Sequence, residues 1–135
     1  MGKPHLDVYV SAEASEDEKA AVAECFDEFD VSFQKGEYRF SETALALVVS
    51  IFLGVVSATA YDLLEAAVMR LRSRASKIDR KIEVKIRRTR REYIITPDVF
   101  VARENTEETY FSSVDELFDD LKRDSTDHDK DNTAV

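Results

Sequence analysis

Cysteine and histidine are nearly absent from this chain of 135 residues, which has one Cys (Cys25) and two His (His5 and His128). A lone cysteine closes no disulfide within the chain, and such usage fits a reducing compartment. Its neighbours Glu24, Asp27 and Glu28 are acidic, so it reads as a small core residue and not as a reactive thiol. His5 opens a strand pattern and His128 lies far away in a polar stretch, so no Cys/His set has zinc spacing. The run DSTDHDKD lacks the glycine and the terminal bidentate Glu of a calcium loop. No phosphate loop is present, no serine has a nucleophile motif, and no two carboxylates stand out as acid and base. These absences assign no catalytic, cofactor or metal residue, and the chain is expected not to be an enzyme. There is no internal repeat. The first fifteen residues lack a long apolar h-region, so no signal peptide is expected.

Charge is abundant but unevenly placed. The net charge of −9 divides into −7 over residues 1–42, +7 over 62–91 and −9 over 92–135. Acidic flanks would repel phosphate, so the basic middle does not read as a general nucleic-acid site. It is expected to be balanced by acidic parts of this chain or of another.

The periodicity gives a coarse reading of elements. Residues 5–12 alternate, with Leu6, Val8 and Val10 on one face, as in a half-buried strand. Residues 15–30 form an amphipathic helix pattern, with Ser15 and Glu18 as a capping box. Residues 31–40 read as a second strand or a short hairpin. From Tyr61 the pattern is helical, with Leu64, Val68 and Leu71 on one face and Arg70, Arg72 and Arg74 near the end. Ile82, Val84 and Ile86 alternate with charged residues, and a turn near Thr89 returns the chain as a partner strand over 92–96. Two short strands at 99–102 and 109–112 flank a polar ENTEE loop. Ser113 and Glu116 then open a final helix, whose apolar face is Val114, Leu117, Phe118 and Leu121. Residues 124–135 carry no apolar pattern and read as a disordered acidic tail.

Between these lies a run of nineteen residues without a charge, 43–61, TALALVVSIFLGVVSATAY. Two readings compete for it. In one it is a buried helix of a soluble cytoplasmic domain. There Ala46, Ser50, Gly54 and Ala58, four residues apart, make a small-residue stripe for close packing and a homo-oligomer contact. In the other it is a single membrane span, with 62–135 in the cytoplasm by the positive-inside rule. Lys85, Arg87, Arg88, Arg90 and Arg91 cluster about the hairpin turn. They form a candidate docking patch for an acidic protein surface, or for anionic lipid if the chain is anchored. Nucleic acid is disfavoured there, because only Tyr93 is near for stacking.

One further expectation comes from the order of these patterns over residues 5–96. A short strand, an acidic helix, a strand and an apolar Gly-containing run come first. They are followed by an amphipathic helix ending Leu71-Arg72-Ser73-Arg74 and the alternating strand Ile82-Glu83-Val84. This order resembles the effector-associated constant-component domains of bacterial conflict systems. The resemblance implies a non-enzymatic adaptor domain with its apolar run buried in a soluble fold. The combined expectation is a single α+β domain over residues 1–123, a sandwich with a mainly antiparallel sheet and helices on one face. Its element order is β-α-β-α-α-β-β-β-β-α, with a central apolar helix at 42–75, and it works through a protein partner.

Overall fold

The computed structural model describes residues 3–10, 15–34, 47–52, 58–77, 81–88 and 90–133. The chain is α+β, and the described residues form three helices and one seven-stranded sheet. The strands are β1 (His5–Val10), β2 (Asp30–Gln34), β3 (Leu47–Phe52), β4 (Ile82–Arg87), β5 (Glu92–Ile95), β6 (Phe100–Glu104) and β7 (Glu107–Phe111). The helices are α1 (Glu16–Cys25), α2 (Ala58–Lys77) and α3 (Val114–Thr133). The sheet order is β2-β1-β3-β4-β5-β6-β7. It is mixed: β1/β2 and β3/β4 are parallel and are joined by crossovers through α1 and α2. The β1/β3 pair and the meander from β4 to β7 are antiparallel.

The central run differs from the expected helix. Leu47–Phe52 is a strand, and α2 begins only at Ala58. The physical reason lies in LVVSIF, where β-branched Val48, Val49 and Ile51 fit a pleated surface better than a helix. A strand buried on both faces shows a continuous apolar run, which periodicity cannot separate from a buried helix. β3 is such a strand, paired with β1 on one side and β4 on the other, with Leu47 through Ile51 all buried. The first member of the expected helix pair is therefore a strand, and the order becomes β-α-β-β-α-β-β-β-β-α. Among the described residues no helix is long and apolar enough to cross a membrane.

The small-residue stripe consequently does not run along one helix. Ser50 is in β3 and Ala58 opens α2, while Ala46 and Gly54 lie outside the described residues.

The other elements follow their local chemistry. Ser15 Oγ accepts from the Glu18 N–H, and the Glu18 carboxylate accepts from the Ser15 N–H, closing the capping box of α1. That helix stops at Cys25, earlier than the pattern suggests, and the next turn places Phe26 and Phe29 in the core. On α2, Tyr61, Leu64, Val68, Leu71 and Ala75 recur every three or four residues and are buried. At α3 the Glu116 N–H donates to Ser113 Oγ, while the Glu116 carboxylate accepts from the Ser112 N–H, which holds its pKa below the usual value. The helix runs through Thr133, across the stretch read as an unstructured tail. β6 and β7 are joined by a two-residue turn in which Asn105 has φ 56°, a left-handed conformation that asparagine tolerates.

All three helices contribute to one core, on the sheet face of Leu6, Val8, Val49, Ile51, Val84, Ile86, Tyr93 and Ile95. Val48, Ser50, Glu83, Lys85, Ile94 and Val101 alternate onto the opposite face and are also buried.

Candidate functional site

The β4–β5 hairpin was the polar feature that the sequence singled out, and its turn closes through Arg88 N–H donating to Arg91 O at 2.9 Å. Its cations are spread over several surroundings. Lys85 does not reach the turn; it is buried in β4, in register between Ser50 on β3 and Ile94 on β5. Arg87 lies 3.5 Å from the Glu92 carboxylate and over the Phe52 ring. Arg88 lies over the Tyr61 ring and donates to the Tyr61 hydroxyl of α2. Arg91 reaches α3, with Nη1 2.6 Å from the Asp120 carboxylate, and approaches Glu104 of β6 at 3.5 Å. Buried Tyr93 donates its hydroxyl to the same Asp120 oxygen at 2.9 Å. Arg90 is exposed at the turn. The hairpin thus acts largely as a clasp between sheet and helices. Sequence spacing identified the cluster but not its partners, because Tyr61 and Asp120 lie 27 and 29 residues away from the arginines that meet them.

The sheet face opposite the helices carries a polar row that the sequence did not flag. Tyr9, Ser50 and Lys85 are in register across β1, β3 and β4, and Glu83 is two residues from Lys85 on the same face. Ser50 and Glu83 are fully buried, and Ser50 Oγ has no hydrogen-bond partner among the described residues. A hydroxyl sealed from solvent is not placed to attack a substrate. Beside this row runs a ladder of charge: Arg87 pairs with Glu92, Glu92 is in register with Arg103, and Arg103 lies 3.2 Å from Glu108.

His5 sits between Asp7 and Asp30, whose hydrogen bonds at 3.1 and 3.3 Å raise its pKa. The two carboxylates meet opposite ring nitrogens, so they do not converge on one point. Among the described residues no three His, Cys, Asp or Glu side chains group to hold a metal ion.

Among the described residues, two of the surfaces that a partner could reach stand out. The first is β7, at one end of the sheet. Glu107, Glu108, Thr109 and Tyr110 are all exposed, and Tyr110 reaches 66% exposure. Glu104 across the turn and Glu108 are paired with Arg91 and Arg103, so Glu107 is the carboxylate that this edge offers. The second is a cavity of about 530 Å³ at the C-terminal end of α2. Met69, Ile82 and Pro97 give it apolar wall, and Arg72, Lys81 and the hydroxyls of Ser73 and Ser76 give it polar groups. Periodicity could not find either feature, because each depends on which strands end the sheet and which loop meets α2. Comparison with protein-family models, with curated proteins and with solved structures finds no match for the chain.

Proposed function

We propose that the chain is a non-enzymatic protein-interaction domain of the cytoplasm, which binds a basic, extended segment of a partner along β7. The observation that carries this reading is the exposed edge itself. An edge strand presents unpaired backbone N–H and C=O groups, and a partner strand can add to them. The β7 edge bears Glu107 and the exposed ring of Tyr110, with Glu108 already paired to Arg103, so it favours a cationic segment with an apolar or aromatic side chain. The buried lone cysteine fits a reducing compartment. The order of elements over residues 5–96, which resembles that of adaptor domains, supports the same class of function. The basic hairpin contributes less, because Arg88 and Arg91 are held by Tyr61 and Asp120.

The test combines a proline scan with hydrogen exchange. Proline is placed singly at positions 108, 109 and 110. Where the replaced N–H points outward, the fold persists and partner capture is lost. Amide exchange of the wild-type complex then locates the contact. Slowed exchange at alternate residues of β7 supports strand addition. Unchanged exchange at β7, with protection elsewhere, contradicts it.

A further inference from the structure

Three arginines stand two residues apart on α2, and their fates differ. Arg70 lies 3.2 Å from Glu28 and also donates to Cys25 O at 2.8 Å. Arg74 lies 2.6 Å from Glu24. Both turn toward α1. Two residues on a helix are about 200° apart, which leaves Arg72 on the opposite side. There it stacks over the Phe100 ring at 5.1 Å and donates one N–H to Pro97 O at 3.3 Å. It has no carboxylate partner among the described residues, although the chain holds 28 Asp and Glu against 19 Lys and Arg. Burial lowers its pKa, the direction in which desolvation moves a cation.

The guanidinium borders the cavity at the end of α2. A planar fork held by an aromatic ring and a carbonyl is pre-organised, and its remaining donors match the two oxygens of a carboxylate. Lys81 adds a second cation, and Ser73 and Ser76 add hydroxyl donors. The volume of about 530 Å³ falls within the usual range for small-ligand sites. The walls from Met69, Ile82 and Pro97 suit an apolar body. The carbonyl end of α2 carries negative partial charge, which penalises a doubly charged anion more than a singly charged one. From this geometry we propose that the cavity between the last turns of α2, the start of β4 and the Pro97 turn binds a small monocarboxylate with an apolar body. Arg72 and Lys81 hold the carboxylate. The site is separate from the β7 edge and stands or falls independently of it.

The experiment titrates the full ¹⁵N-labelled chain with hexanoate and, in parallel, with hexanol and with inorganic phosphate. Hexanoate is expected to shift the amides of Ser73, Ser76 and Ile82 in a saturable way. Hexanol and phosphate are each expected to bind roughly ten- to a hundredfold more weakly, the weight of a charge-assisted contact or of the apolar body. Arg72→Met keeps the stem and should abolish saturation. Ser76→Phe, at an exposed helix position, fills the cavity and should do the same with α2 intact. It carries the test if the Arg72 variant does not fold. No shift at the cavity with hexanoate, an unchanged titration in Ser76→Phe, or phosphate binding as tightly as hexanoate would each overturn the proposal.

Discussion

Glu65 shows how one side chain makes stability depend on pH. It lies on α2 against α3, close to Asp115 and Asp119, with Lys122 Nζ at 3.7 Å. On its own helix, Asp62 also holds Lys122, at 2.6 Å. Burial and the hydrogen bond to Asp115 push the Glu65 pKa up to about 7 from its ordinary 4.5. A raised folded pKa means that the stabilising contribution is complete below 4.5 and is lost as pH rises through about 7. Glu65→Gln stays neutral throughout, so it is expected to be the more stable form at pH 8, by about 1–3 kcal/mol, and to match the wild type near pH 4. Urea denaturation at the two pH values checks this, and equal wild-type and variant stability at both would contradict it. Two ion pairs of equal length make a second comparison. Arg91–Asp120 and Arg74–Glu24 are both 2.6 Å, but the first pair is about a fifth to a quarter exposed and the second about half or more. Asp120→Ala also removes the acceptor of the buried Tyr93 hydroxyl, so it should cost about 2–4 kcal/mol. A double-mutant cycle should find the larger coupling at Arg91–Asp120, and a larger coupling at Arg74–Glu24 would contradict the burial argument. Ser50→Ala removes a buried hydroxyl with no partner among the described residues, so it should leave stability unchanged or raise it by up to about 1 kcal/mol.

At the scale of elements, legibility followed local chemistry. The capping box of α1, the buried face of α2 and the alternation of β4 could be read because each depends on residues a few positions apart. β3 could not, because its burial on both faces comes from β1 and β4 and erases the period of two. Lys85 and Glu83 were legible as one face of a strand, but not as buried groups, because an alternating polar face ordinarily meets solvent. The cavity depends on Pro97 meeting α2 and left no local trace. The β6–β7 hairpin yields a prediction at this scale. Asn105 at φ 56° is the conformational lock of that turn. Asn105→Val should cost about 1–2 kcal/mol, since a branched residue resists the left-handed region, and Asn105→Gly should be neutral or slightly stabilising. Thermal melts of the two variants check the order; a valine variant as stable as the glycine one would contradict it.

Across the whole molecule, the uneven charge becomes an internal arrangement. The basic middle lies between two acidic regions, with Arg70 and Arg74 meeting Glu28 and Glu24 on one side and Arg91 meeting Asp120 on the other. The expectation that the chain's own acids balance its cations is thus met at these contacts. Arg72 meets Pro97 O and the Phe100 ring but no carboxylate among the described residues, and it borders the cavity. The sheet places β3 at the junction of its two parts, antiparallel to β1 and parallel to β4. The parallel pairing of β3 with β4 requires the α2 crossover that lies beside Pro97, so the cavity proposal depends on it, while the β4–β7 meander sets the edge at β7. The most direct measurement is therefore a set of backbone chemical shifts and inter-strand nuclear Overhauser contacts over residues 47–52. Extended-strand shifts are expected, with contacts from Val49 to the neighbourhood of Val10 on one side and Val84 on the other. Helical shifts with contacts three residues apart along 47–52 would contradict it, and the strand order would fall with them.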